Sequence, residues 1–238
     1  MKAEAKEATR VVALVPAAGS GRRLGGEIPK QFRALKGKPL LAHTLQRLQE
    51  CPLIGAIYPI VPPEEVAYCQ REVVVPYGLD KVVEVVAGGP ERQDSVYRGF
   101  SRLQGRPELV LIHDGVRPFV SARLLQETLR AAELFGAAVA ALPCVDTIKE
   151  VDEEGIVCRT LDRRRLWQVQ TPQAFRLPLL REALEMAVAE GFWATDEACL
   201  VERTGHPVRV ISGESYNLKV TVQADLQLAE WILEKGYA

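Results

Sequence analysis

The sequence has no excess of either charge: 30 Lys and Arg stand against 31 Asp and Glu, for a formal net charge of −1. That excludes the broad basic surface that non-specific nucleic-acid binding requires, so no nucleic-acid partner is expected. No apolar run approaches the roughly 20 residues of a membrane-spanning helix, and no membrane partner is expected either. The five cysteines (Cys51, Cys69, Cys144, Cys158 and Cys199) form no C-x-x-C pair, and the three histidines do not flank them at zinc-like spacing. They read as reduced, mostly packed thiols of a cytoplasmic protein. The opening MKAEAKEATR lacks the apolar core of a signal peptide and reads as a flexible tail over residues 1–10. No repeat, low-complexity tract or Pro/Gly linker divides the remainder of the chain, so residues 11–238 are expected to form a single domain. A Ser-His-Asp or Cys-His arrangement is likewise not in evidence.

What is present is an ordinary globular composition, 47% hydrophobic and 26% charged, enough for a sizeable core. Short apolar runs bounded by Gly or Pro recur at Val11–Val15, Ile54–Val61, Val82–Ala87, Leu109–His113 and Ala137–Leu142, and read as buried strands. Amphipathic stretches at Leu40–Gln49, Glu64–Glu72, Arg92–Leu103 and Ser121–Phe135 alternate with them. The alternation predicts an α/β fold of Rossmann-like type, with a mostly parallel twisted sheet flanked by helices. Ligands of such sheets bind beyond the carboxyl ends of the strands.

From Val145 to Gln170 the pattern changes. Asp152-Glu153-Glu154-Gly155 reads as a turn between extended stretches at Thr147–Val151 and Ile156–Leu161, so a β-hairpin arm is expected over about 145–170. It carries Arg159, Arg163, Arg164 and Arg165 beside Leu161, Leu166 and Trp167, a mixture suited to packing on a second subunit. A homodimer is therefore expected. Helices at Leu177–Glu190 and Asp196–Arg203, a strand at Val208–Ile211 and a helix at Ala224–Lys235 complete the reading.

The first strand runs into Pro16-Ala17-Ala18-Gly19-Ser20-Gly21-Arg22-Arg23-Leu24-Gly25-Gly26-Glu27-Ile28-Pro29-Lys30. Glycines let successive backbone N–H groups converge on one anion, and Arg22, Arg23 and Lys30 add full charges. A dinucleotide fingerprint counted from Gly19 meets Leu24 where its third glycine belongs, and a P-loop counted from Gly21 meets Glu27 where its lysine belongs. The nucleotidyltransferase pattern G-x-G-x-R followed by Pro-Lys is met in full by Gly19, Gly21, Arg23, Pro29 and Lys30. Asp114, just past the fourth strand, is a hard-oxygen candidate for Mg²⁺ or else a turn cap. His113 reads as packed, and Thr195 reads as a helix N-cap.

Together the segments PAAGSGRRLGGEIPKQF, GGPERQDSV, HDGVRPF, VDTIK, QTPQAF, TDEA and NLKVT resemble those of the 2-C-methyl-D-erythritol 4-phosphate cytidylyltransferase family, in the family's order from about Val11 onward. The resemblance implies a homodimeric enzyme that couples CTP with 2-C-methyl-D-erythritol 4-phosphate, using Mg²⁺, and releases pyrophosphate. It implies that Ala17, Ala18, Gly19, Gly21, Arg23, Lys30, Gly89, Ser95 and Gly115 bind the nucleotide, and that Arg23, Lys30 and Lys219 supply the working charges. Asp114 would hold the metal, Arg117 would support its loop, and Thr147, Arg163, Thr171, Thr195 and Lys219 would hold the acceptor. Thr147 and Arg163 would serve the neighbouring subunit across the arm. Two positions depart from the pattern: Pro90 replaces an acid found in some relatives, and Val116 replaces a common Ala. Either could alter the fit around cytosine. No fused cyclase is expected, because the chain ends soon after the final helix. The alternatives are a cytidylyltransferase for another polyol phosphate such as ribitol 5-phosphate, a non-catalytic nucleotide sensor, and an NAD-dependent oxidoreductase.

Overall fold

A computed structural model describes residues 10–19 and 28–237 of the chain. The first half alternates strands and helices: β1 (Val11–Pro16), β2 (Ala34–Leu35), β3 (Lys38–Pro39), α1 (Leu40–Glu50), β4 (Ala56–Val61), α2 (Val66–Cys69), β5 (Val86–Ala87), α3 (Arg92–Ser101), β6 (Leu109–Ile112), α4 (Ala122–Phe135) and β7 (Ala137–Pro143). Then come β8 (Lys149–Val151), β9 (Val157–Thr160), β10 (Trp167–Arg176), α5 (Leu177–Glu190), α6 (Glu197–Arg203), β11 (Arg209–Ser212) and α7 (Gln223–Lys235). Among the described residues no helix is long and apolar enough to cross a membrane.

Seven strands form one sheet in the order β11-β7-β10-β6-β1-β4-β5. Every pairing in it is parallel except those of β10, which runs antiparallel to both β6 and β7. The period-two alternation of the strands sorts their side chains onto two faces. Val11, Ala13 and Val15 of β1 point with Leu109 and Leu111 of β6 toward α1 and α4. Val12 and Leu14 point with Val110 and Ile112 toward α3, α5 and α6. A third, smaller cluster packs α7 through Leu226, Ala229 and Ile232 onto Leu35, Val116, Phe119 and Val220. That packing holds the segment before α7 beside the loop that follows β6.

Local chemistry sets the ends of these elements. Ser121 accepts a hydrogen bond from the Leu124 N–H and caps α4, which stops at Gly136 with φ 93°. The stretch Glu64–Glu72, expected as one helix, is divided: a 3₁₀ turn at Pro63–Glu65, α2, and a π turn at Gln70–Val74. Val82–Ala87, expected as one strand, pairs only at Val86–Ala87 and through an isolated bridge of Val82 to Ile57, with Val83 turned out to solvent.

The hairpin is present as β8 paired antiparallel with β9, every residue of both strands exposed. Val145, Val151, Ile156 and Val157 are exposed apolar residues of this arm. The arm ends sooner than expected. Residues 167–170 already belong to β10, where Trp167, Gln168 and Val169 pair with Pro143, Leu142 and Ala141 of β7.

Phe175 of β10 is fully buried in the α5-side cluster, so Phe175→Ala is expected to destabilise the fold by about 3–5 kcal/mol. A urea midpoint indistinguishable from that of the parent protein would show that β10 is not integral to the core.

Candidate active site

The carboxyl ends of β1 and β6 open into one cleft. Ala17, Ala18, Gly19 and Lys30 line it after β1, Gly89 and Ser95 after β5, Asp114 after β6, and Lys219 from the segment before α7. Pro90 and Val116, the two departures from the family pattern, line it too. Gly21 and Arg23 lie outside the described residues. Gly115 sits behind the wall rather than on it. A Cβ there would stand 2.8 Å from the Ala17 Cβ and 2.9 Å from Leu41 Cδ1, and one at Gly89 would stand 2.3 Å from the Asp94 Cβ. Glycine is therefore required at both positions by the protein's own close packing, before any ring approaches.

Asp114 is the electrostatic centre of the cleft, with only 6% of its surface exposed. Lys219 Nζ lies 2.9 Å from its Oδ2, Arg117 Nε 3.6 Å from the same oxygen, and Arg92 Nε 3.7 Å from Oδ1. Burial by itself would push this carboxyl up, but Arg92, Lys219 and Arg117 outweigh it and hold it well below the usual carboxylate range. The group is an anion throughout the physiological range. Arg117, buried as well, donates from Nη1 to the Asn217 carbonyl at 2.7 Å and so ties the Asp114 loop to the Lys219 segment.

Thr171, expected at the acceptor, is 4% exposed and does not line the cleft. Its hydroxyl accepts from the Asp114 N–H at 2.9 Å and donates to His113 Nδ1 at 3.1 Å. His113 Nε2 in turn donates to the Arg117 carbonyl at 3.1 Å. This tautomer is that of a neutral ring, and burial lowers the His113 pKa to about 4. In this single chain Thr171 thus positions the Asp114 backbone, a role that its sequence neighbours do not announce. The Thr171 carbonyl also accepts from Asn217 Nδ2 at 2.8 Å, and Gln170 Nε2 donates to the Glu214 carbonyl at 3.1 Å. Strand β10 therefore anchors Asp114 and the Lys219 segment from behind.

Two charged residues of this centre are not singled out by the sequence. Arg92, the first residue of α3, lines the cleft and donates from Nη1 to both carboxylate oxygens of Glu197, at 2.7 and 2.8 Å. Burial works against the Arg92 cation, yet Glu197 and Asp114 raise its pKa overall. A signal was available: Glu197 shares a helical face with Leu200 and Val201, and an acid on an apolar face requires a buried partner. The cap of α6 also differs from expectation. Asp196, not Thr195, accepts from the Cys199 N–H at 3.0 Å, which leaves Thr195 exposed outside the helix. Thr147 and Arg163 are exposed on the arm, where Arg163 Nη1 donates to the Val145 carbonyl at 2.6 Å. None of Thr147, Arg163 and Thr195 lines the cleft.

Known proteins are similar to this chain over nearly its whole length. The family model for 2-C-methyl-D-erythritol 4-phosphate cytidylyltransferase matches residues 11–235. The cytidylyltransferase of that name from Syntrophus aciditrophicus is 48% identical over 226 residues, covering 95% of this chain and 97% of its own. Among solved structures, the Thermus thermophilus enzyme of the same name superposes with a TM-score of 0.77 at 36% identity, over 94% of this chain and 99% of that one. A 4-diphosphocytidyl-2C-methyl-D-erythritol synthase from Anaerococcus prevotii gives a TM-score of 0.83 at 30% identity, over 94% and 96%.

The relay through Thr171 has a measurable consequence. Thr171→Val leaves the buried Asp114 N–H and His113 Nδ1 without partners and is expected to cost about 1–3 kcal/mol and to depress turnover. Thr171→Ser keeps the hydroxyl and is expected to behave like the parent protein. Equal urea midpoints for the Val and Ser variants would refute the relay.

Proposed function

This chain belongs to the 2-C-methyl-D-erythritol 4-phosphate cytidylyltransferase family, and we propose how its own residues carry the family's reaction. The enzyme couples CTP with 2-C-methyl-D-erythritol 4-phosphate to give 4-diphosphocytidyl-2-C-methyl-D-erythritol and pyrophosphate. The acceptor phosphate is largely a dianion at neutral pH, since its second pKa lies near 6. It therefore needs no general base, and His113 is engaged in holding the Asp114 loop. An acceptor oxygen bonds to the α-phosphorus of CTP as the bond to the β-phosphate bridging oxygen breaks, and the electron pair leaves with pyrophosphate. The obstacle is the approach of two anions, so positioning and charge neutralisation are the main tasks.

The observation that carries this reading is the buried Asp114 carboxylate with Lys219 beside it at the mouth of a glycine-lined cleft. Lys219 neutralises charge at the α-phosphate and acceptor, while Lys30 and Arg23 hold the triphosphate. Ala17, Ala18, Gly19, Gly21, Gly89 and Ser95 frame the nucleotide, Gly115 backs that wall by its close packing on Ala17, and Arg117 supports the Asp114 loop. Among the described residues no group of three His, Cys, Asp or Glu converges on one point. A single carboxylate suits Mg²⁺, which takes few protein ligands and completes its shell from phosphates and water, and the ion would share Asp114 with Lys219. Asp114 would hold the ion, which when bound would neutralise charge on the phosphates.

Thr147 and Arg163 stand on an arm whose exposed apolar residues favour a second copy of the chain as partner. We infer a homodimer in which they reach the partner's acceptor site, with Thr195 and Lys219 completing it from within the subunit and Thr171 supporting it from behind.

Lys30→Ala and Lys219→Ala are each expected to lower kcat by about 10²–10³ without unfolding the protein; in the Lys219 variant Arg92 and Arg117 still pair Asp114. Near-normal turnover in either purified variant would defeat its assignment. Arg163→Ala is expected mainly to raise KM for the sugar phosphate. Mixed dimers of Arg163→Ala and Lys30→Ala subunits should regain one working site in two; no recovery on mixing would show that the arm does not cross. Pyrophosphate release with ribitol 5-phosphate in place of the cognate acceptor should stay at background.

A further inference from the structure

The first turn of α3 joins the cleft to a segment outside it that is remote in sequence. Arg92 reaches Asp114 on one side and Glu197 on the other, so one guanidinium touches the carboxylate assigned to the metal and the first residue of α6. Gln93 makes the neighbouring tie, donating from Nε2 to the Phe192 carbonyl and accepting from the Ala194 N–H, both at 2.9 Å. From the sheet side, Gln173 Nε2 donates to Asp196 Oδ2 at 2.8 Å. Thr195 lies between these ties, so its backbone is clamped although its side chain is exposed.

Fold stability gives no reason for a charged pair at this contact. Glu197 is 1% exposed, and replacing a buried ion pair by an apolar pair of similar volume is often neutral or stabilising. What distinguishes the pair is that Arg92 also ends in the cleft, 3.7 Å from Asp114. Arginine suits the task because its planar fork offers five N–H donors in fixed directions, enough to serve two carboxylates at once. Lysine presents a single nitrogen.

We propose that Arg92 is a positioning residue of the transfer reaction: by joining Asp114 to Glu197 it sets the acceptor segment around Thr195 against the carboxylate that receives the metal-bound nucleotide. The proposal rests on the assignment of Asp114 to the metal and of Thr195 to the acceptor. It separates Arg92 from Lys30 and Lys219, which meet the substrates themselves. Loosening Arg92 should disturb the acceptor and its alignment, and leave nucleotide binding largely intact.

Full-length Arg92→Lys, Glu197→Gln and the double variant test this, with Asp114→Asn as a reference. Steady-state kcat and KM are measured for both substrates, together with calorimetric binding of CTP in the presence of Mg²⁺ and the thermal midpoint. Each single variant is expected to raise KM for the sugar phosphate about tenfold or more and to lower kcat by roughly 10–100, since small misplacements of reacting groups carry penalties of that order. The dissociation constant for CTP should stay within about threefold. The double variant should be no worse than the poorer single one, because both substitutions open the same bridge. An unchanged acceptor KM in a folded Arg92→Lys protein overturns the proposal, as does an equal loss of CTP affinity. If Asp114→Asn is inactive while Arg92→Lys is unaffected, the Arg92 proposal alone falls. If Asp114→Asn turns over normally, the assignment of Asp114 falls first.

Discussion

A carboxylate withdrawn from water at the end of a buried strand must be matched by positive charge, and the site is organised around that requirement. Asp114 follows β6, in the middle of the sheet, and three cations close on it from separate parts of the chain: Arg92, Arg117 and Lys219. An unpaired carboxylate at this depth would take up a proton rather than remain charged. The pairing keeps it an anion and leaves a surplus of positive charge facing the cleft, in which we place the triphosphate and the sugar phosphate. One arrangement therefore satisfies a burial constraint and prepares the site for two anions that repel each other.

Each cation is held by a different structural device. Arg117 is fixed by the Asn217 carbonyl, and Arg92 by the bidentate contact with Glu197. Lys219 is carried by the segment that α7 clamps through Val220. Behind them runs β10, the one antiparallel strand of the main sheet. Gln170 and Thr171 make contacts that a parallel crossover would not have placed there: one holds the Glu214 carbonyl, and the other holds the Asp114 amide and the Asn217 side chain. The antiparallel insertion is thus how the second half of the chain is fastened to the end of β6.

The cleft walls are set by the same close packing. Gly89 and Gly115 leave no space for a side chain, and Val116, which departs from the family pattern, joins the cluster under α7 while also lining the cleft. Its bulk therefore links the packing of the C-terminal helix to the shape of the cleft. The arm, by contrast, contributes exposed apolar residues and nothing to this cleft within one chain.

By itself the sequence determined the elements whose evidence is local. The apolar runs of β1, β4, β6 and β7, the amphipathic faces of α1, α4 and α5, and the glycine loop placed after β1 are all written within a few residues of themselves. Lys30, Asp114 and Lys219 were marked by the resemblance of seven segments rather than by local chemistry, and all three line the cleft. Tertiary structure alone decided the rest. Strand β10 mixes Gln, Thr and Pro with apolar residues and matches neither periodicity, so its place in the sheet depends on β6 and β7. The partners of Arg92, Thr171 and Asn217 come from other elements, and Arg92 and Glu197 lie 105 residues apart. No window along the chain contains both halves of such a pair. The reason is physical: burial makes a polar group take whichever partner the packed fold brings to it, and that partner is set by topology rather than by sequence neighbours.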